Sequence, residues 1–169
     1  PDPDAASGDL PTVVAPNPEE PAALALAVEK AKETDAELVL ASDPDADRVG
    51  AAVKNNEGEW VLLNGNQTAL MFVYYLITRW KELGKINGKE YIVKTIVTTE
   101  LIRTIAEKNG VVVYDVSTGF KWIADVMKKN EGKKNYIGGG EESYVFICED
   151  FVRDKDAGSA CAILAAIAA

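Results

Sequence analysis

The sequence has no histidine, only two cysteines, and no apolar run long enough to cross a bilayer. Without histidine, Ser-His-Asp chemistry and histidine-bound zinc are excluded within this chain. Cys148 and Cys161 make no disulfide framework, which points to a reducing, cytoplasmic setting. The most apolar stretch, 159–169, is too short to span a membrane and is expected to be a buried helix. The opening Pro1–Pro11, rich in Pro, Asp, Ser and Gly, lacks the basic and apolar regions of a signal peptide and reads as a loop or linker. Positive charge is also scarce: 18 Lys and Arg stand against 27 Asp and Glu, a net charge of -9. That balance disfavours nucleic acid and anionic membrane as partners. What remains, 169 residues at 47% hydrophobic, is enough to bury a core in one or two small domains.

Against this background one hexapeptide stands out, Asp43-Pro44-Asp45-Ala46-Asp47-Arg48. Carboxylates about 4 Å apart repel by roughly 1 kcal/mol in water and about 4 at an intermediate dielectric, so three of them at alternate positions call for a cation. A hard divalent ion with oxygen ligands is the natural occupant. An EF-hand is excluded, since its sixth and twelfth positions fall on Arg48 and Lys54 instead of glycine and glutamate. A phosphatase with an aspartate nucleophile and a non-catalytic metal-binding module both remain open. Arg48 offers a planar fork that matches phosphate oxygens, or it neutralises its acidic neighbours. The flanks read as two strands, 37–41 and 48–54, which places the loop at a tight strand connection.

Two further segments carry chemistry. Gly138-Gly139-Gly140-Glu141-Glu142-Ser143-Tyr144 follows a short strand, and its glycines are expected to form a sharp turn that presents Glu141 and Ser143 to sugar hydroxyls. Ser117-Thr118-Gly119-Phe120-Lys121-Trp122 opens a helix with Thr118 or Ser117 as N-cap and Phe120, Ile123, Ala124 and Met127 inward. Lys121 lies off that stripe, in a first turn where a cation opposes the helix dipole, which suits an anionic ligand there.

Elements alternate along the chain. The spacing predicts a strand over 12–15, a helix begun at Asn17-Pro18, the metal hairpin, and a helix from Gln67 to Leu83. A boundary at 84–89 comes next, then strands at 91–97, 111–116 and 136–137, separated by helices from Thr99 and Phe120 and followed by a last helix capped at Asp154. The fold class is therefore α/β, in two consecutive units with mixed sheets, 1–84 and 85–169. Trp80 and Trp122 are expected in the core, and the lysines at 128, 129, 133 and 134 at a solvated helix end.

In order and spacing, these motifs resemble the α-D-phosphohexomutase family, the phosphoglucomutases and phosphomannomutases. Asp43–Arg48 resembles its magnesium loop, Gly140-Glu141-Glu142-Ser143 its sugar-discriminating loop, and Thr118-Gly119-Phe120-Lys121 a segment that holds the phosphosugar. The resemblance implies reversible transfer of phosphate between the 1 and 6 positions of a hexose through a phosphoserine and a bisphosphorylated intermediate. It implies Mg2+ on Asp43, Asp45 and Asp47, a phosphoryl group steadied by Arg48, and substrate held by Thr118, Gly119, Lys121, Glu141 and Ser143. Family members have four domains. Nothing here resembles the serine loop of the first or the phosphate loop of the fourth, so the chain is expected to be the later part of domain 2 followed by domain 3. Domains 1 and 4 of the same polypeptide would be its partners, and the fragment alone would be inactive. Val145 stands where that branch carries glycine, and a β-branched residue resists positive φ, so a sugar loop of different shape is expected.

Overall fold

A computed structural model describes residues 8–169. Part of the expected opening loop, residues 1–7, lies outside the described residues. The chain runs α1 (Pro21–Glu33), β1 (Leu38–Ser42), β2 (Val49–Lys54), β3 (Trp60–Leu62), α2 (Gly65–Glu82), β4 (Glu90–Thr95) and α3 (Leu101–Lys108). It continues with β5 (Val112–Val116), α4 (Phe120–Asn130), β6 (Asn135–Glu141), β7 (Val145–Cys148) and α5 (Ala157–Ala168). The architecture is α/β in two consecutive units. The first sheet, β1-β2-β3, is antiparallel, and the second, β5-β4-β6-β7, is mixed, with β7 alone antiparallel. No helix among the described residues is long and apolar enough to cross a membrane.

Alternation along the strands of the second sheet sorts its two faces. Ile92, Ile137, Phe146 and Cys148 join Phe72, Leu76, Ile102 and Leu164 of α2, α3 and α5 in one cluster. Tyr91, Val93, Tyr136 and Ile147 meet Ile123 and Met127 of α4 on the other face. Val49 and Ala51 of β2 belong to the first of these clusters, so one core runs from sheet to sheet.

Several expectations are corrected. Residues 12–15 are not a strand: Val13 N–H closes a turn onto the Leu10 carbonyl, Val14 is fully exposed, and no strand among the described residues takes up their backbone groups. Helix α1 begins at Pro21, and Asn17 instead caps the turn before it, accepting from Glu19 N–H at 3.1 Å. Gly119, at φ 113°, takes the N-cap of α4 without side-chain help, and Asp156, not Asp154, caps α5 by accepting from Gly158 and Ser159 N–H. Trp122 is 43% exposed on the outer side of α4.

The three glycines are not a turn. They are central residues of β6, buried in the sheet, where a Cβ on Gly139 would overlap the Val93 carbonyl and one on Gly140 the Val145 carbonyl. Close packing, not bending, requires them. The bend falls on Glu142-Ser143-Tyr144, a three-residue hairpin closed by the Glu141–Val145 pair, with Tyr144 at φ 65° in the left-handed position. Val145 lies in the strand and carries no positive φ.

Helix α2, grouped by the sequence reading with the first unit, packs on β6 and α3. We propose accordingly that the seam between the units falls between β3 and α2.

Candidate functional site

The acidic loop joins β1 to β2 and folds around its own first aspartate. Ala46 N–H donates to the Asp43 carbonyl at 3.0 Å, and Asp43 Oδ1 accepts from Asp47 N–H at 3.0 Å and Arg48 N–H at 3.1 Å. Ala46 sits at φ 55° to close the turn. The Asp43 carboxylate is buried, and its Oδ2 accepts from Arg48 Nε at 2.6 Å. Burial pushes the Asp43 carboxyl up, but the Arg48 side-chain and backbone hydrogen bonds and the guanidinium charge outweigh it and hold it below the usual carboxylate range. Its bond to Asp43 in turn raises Arg48.

One ligand oxygen from each of Asp43, Asp45 and Asp47 falls within 4.8 Å of the other two. The donor set is all carboxylate oxygen, Asp45 is exposed, and Asp43 Oδ2 keeps a lone pair beyond its bond to Arg48. These residues fit a hard divalent cation.

Two residues whose part here sequence reasoning missed brace the loop from outside it. Lys155, in the loop before α5, donates through Nζ to Asp47 Oδ2. Asn17 Oδ1 accepts from Arg48 Nη1 at 3.2 Å, with Glu19 at 3.7 Å from the same nitrogen. The alternating charges of Arg153-Asp154-Lys155-Asp156 were the one visible signal for Lys155. Asn17 gave only a capping signal.

The second and third motifs meet next to the loop, at the carboxyl ends of β4, β5 and β6, where parallel strands of α/β proteins gather ligands. Glu141, the last residue of β6, accepts from Gly119 N–H at 2.6 Å through Oε1, joining the hairpin to the start of α4. Ser143 lies at the hairpin tip and makes no side-chain hydrogen bond among the described residues. Val49 N–H donates to the Tyr144 carbonyl at 3.1 Å and Ala157 N–H to the Ala46 carbonyl at 3.0 Å, so backbone bonds tie acidic loop, hairpin and α5 together. Thr118 is exposed beside Gly119. Lys121 is exposed too, its ammonium 5.1 Å from the Trp122 ring centroid. The arrangement places the acidic loop beside a hairpin that carries a carboxylate and a hydroxyl, with the exposed Thr118 and Lys121 flanking the Gly119 bond to Glu141.

A separate cavity of about 420 Å³ opens at the amino end of β6, lined by Trp80, Lys85, Lys134, Glu149 and Asp150. Within its lining Trp80 Nε1 donates to Glu149 at 2.9 Å, and Lys134 reaches out of it to donate to Tyr114.

Comparison with known proteins follows the same division of the chain. Residues 1–58 match the family described as phosphoglucomutase/phosphomannomutase, alpha/beta/alpha domain II, and residues 64–169 match domain III of that family. Phosphoglucomutase of Staphylococcus saprophyticus is 37% identical over 153 residues, 89% of this chain and 27% of that protein. Phosphopentomutase of Homo sapiens is 37% identical over 166 residues, 95% of this chain and 27% of that protein. The chain thus spans about a quarter of the length of the curated relatives it matches. Among solved structures, a phosphomannomutase from Thermus thermophilus is similar with a TM-score of 0.69 at 27% identity, over 88% of this chain and 31% of that one. An N-acetylphosphoglucosamine mutase of Aspergillus fumigatus, solved with GlcNAc-6P and magnesium, shares the fold with a TM-score of 0.57 at 15% identity, over 76% of this chain and 29% of that one.

Proposed function

The chain belongs to the phosphoglucomutase/phosphomannomutase family, and from that premise we propose that it is the metal- and sugar-binding portion of a magnesium-dependent mutase interconverting hexose 1-phosphate and 6-phosphate through a phosphoserine and a bisphosphorylated sugar. The observation that carries this reading is the convergence of Asp43, Asp45 and Asp47 oxygens within 4.8 Å, beside Arg48 and next to the Glu141–Ser143 hairpin. The magnesium-bound relative fold supports the choice of ion.

In this reading Asp43, Asp45 and Asp47 hold Mg2+, which when bound supplies charge neutralisation for the phosphoryl group. Asp43 also fixes Arg48, whose guanidinium N–H groups not engaged by Asp43 or Asn17 are offered to a phosphoryl oxygen. Glu141 uses one oxygen on Gly119 N–H and keeps the other for neighbouring sugar hydroxyls, with Ser143 as donor and acceptor beside it. Thr118 and the exposed ammonium of Lys121 help hold the phosphosugar, and Gly119 takes part by fixing Glu141 beside them. The reacting serine and the second phosphate-gripping loop belong, in this proposal, to domains 1 and 4 of the same polypeptide, and the chain alone is inactive.

A second reading, a pentose phosphate in place of the hexose, is favoured by the equal identity to a phosphopentomutase. One set of assays decides. The full-length polypeptide carrying this chain is given glucose 1-phosphate, mannose 1-phosphate or ribose 1-phosphate with Mg2+, in parallel with the isolated chain. Hexose 6-phosphate from the full-length protein with silence from the chain is expected. Turnover of ribose 1-phosphate alone would favour the pentose, and inorganic phosphate released by the chain would replace the mutase by a phosphatase. Asp45→Ala should abolish turnover and weaken Mg2+ binding to the chain, measured calorimetrically, by about tenfold or more. Unchanged binding would overturn the ligand assignment.

A further inference from the structure

Glu142 stands between the two residues assigned to the sugar, yet its own carboxylate is turned into the scaffold. Its Oε2 lies 3.0 Å from Thr95 Oγ1 and 3.1 Å from Thr98 Oγ1, and the two hydroxyls are 2.7 Å apart. Both threonines are buried. Two hydroxyl protons serve these three contacts, so one threonine can donate to the other while that one donates to the Glu142 carboxylate, which only accepts.

The turn that carries these threonines is itself fixed. Thr98 N–H donates to the Thr95 carbonyl at 3.1 Å. Lys94, buried in β4, spends its ammonium on the Thr95 carbonyl at 3.3 Å and the Thr98 carbonyl at 3.0 Å, and is neutralised by Glu100 at 2.7 Å and Asp115 at 3.1 Å. A lysine costs much to bury, and here it closes one particular turn. From the opposite side the hairpin backbone rests on α2: a Cβ on Gly65 would overlap the Glu142 carbonyl. Thr99 N–H adds a bond of 2.8 Å to Asn66 Oδ1 of the same helix.

We propose that Glu142 is a positioning residue, clamped by Thr95 and Thr98 on the lysine-braced turn after β4 so that Glu141 and Ser143 meet the sugar in one fixed register. The proposal rests on the mutase reading above. Lys94, Thr95 and Thr98 then act through Glu142 and touch no substrate.

The test uses the full-length polypeptide with Glu142→Ala, Thr98→Val and the double variant. Losing charge-assisted hydrogen bonds from a positioning group predicts a KM for the sugar phosphate raised about tenfold or more with kcat within about threefold. The double variant should cost no more than the larger single one, because both remove the same clamp. Glu142→Gln, which keeps one acceptor oxygen, should recover part of the loss, and Mg2+ affinity of the isolated chain should not move. Amide exchange at Ser143 and Tyr144 in the isolated chain should quicken in Glu142→Ala. An inactive wild-type polypeptide would sink the mutase reading, and this proposal with it. An active wild type whose KM is indifferent to Glu142→Ala, whose two variants add independently, or whose hairpin exchange is unchanged would overturn the proposal alone.

Discussion

At the scale of single residues, the acidic loop shows how a short sequence meets a geometric demand at some cost. Asp43 gathers two backbone N–H groups and a guanidinium, and to reach them the chain passes through Ala46 at φ 55°. An alanine in that region is disfavoured by roughly 1–2 kcal/mol. Its side chain is exposed, so substitution there tests the backbone with little change in packing. Ala46→Gly removes the steric cost and returns some of it as freedom of the unfolded chain, so stability should change by less than about 1 kcal/mol. Ala46→Val forces a β-branched residue into the same region and should lose about 1–3 kcal/mol. Urea midpoints of the two variants check this, and equal midpoints would mean that the loop does not hold the left-handed turn in solution. The aspartates were legible in the sequence because alternation of like charges has no folding rationale. Lys155 and Asn17 were not, since they reach the loop from 108 and 31 positions away in the chain, and only tertiary closure brings them there.

At the scale of elements, periodicity located most strands and helices, and local chemistry misplaced their ends. The capping box of α2, Asn64 with Gln67, set that helix start two residues before the expected one. The glycines at 138–140 were assigned to a bend because glycine is commonest there. Only the neighbouring strands reveal that Gly139 and Gly140 lack space for a side chain and that Gly138 is tightly enclosed. Gly139→Ala should accordingly cost about 2–4 kcal/mol, far above the propensity gain of alanine, since the Val93 backbone and Tyr136 would have to move. Strand β4 holds a second element-level device. Glu90 is fully buried at its start and accepts from Asn87 N–H at 2.9 Å, Gly88 N–H at 2.8 Å and Asn135 Nδ2 at 3.1 Å. Burial pushes this carboxyl up, but the hydrogen bonds from Asn135, Asn87 and Gly88 more than offset it, so it ends below its ordinary 4.5. A carboxyl depressed in the folded state stabilises fully above its unfolded pKa and loses that contribution as pH falls through the folded one. Glu90→Gln should therefore be less stable at neutral pH by about 1–3 kcal/mol and show a shallower loss of stability below about 4.5. Parallel acid limbs in wild type and variant would refute the linkage.

At the scale of the whole molecule, the site exists only because two sheets are held in one relation. The acidic loop hangs from the first sheet and the hairpin from the second. The element between them is α5, which contacts β1 and β2 on one side and α2 and β7 on the other. Its sequence reads as apolar on nearly every face. The structure resolves this into an inward row of Ala157, Ala160 and Leu164, with Ile163 and Ile167 at its margin, and an outer face at 162, 165, 166 and 168 made of alanine. Alanine favours the helix without demanding burial, so the pattern reads as a thin helix fitted into a seam. Leu164 is 2% exposed and shares its cluster with Ala51 of β2, Phe72 of α2 and Phe146 of β7. If that common core couples the sheets, the chain unfolds as one unit, and Trp60 in the first sheet reports the same urea midpoint as Trp80 of α2 and Trp122 of α4, which pack on the second. Leu164→Ala should destabilise by about 2–5 kcal/mol and move both reports together. Two midpoints, with only one displaced by the substitution, would show the sheets folding independently. The register between acidic loop and hairpin would then rest on the Val49–Tyr144 and Ala157–Ala46 backbone bonds alone.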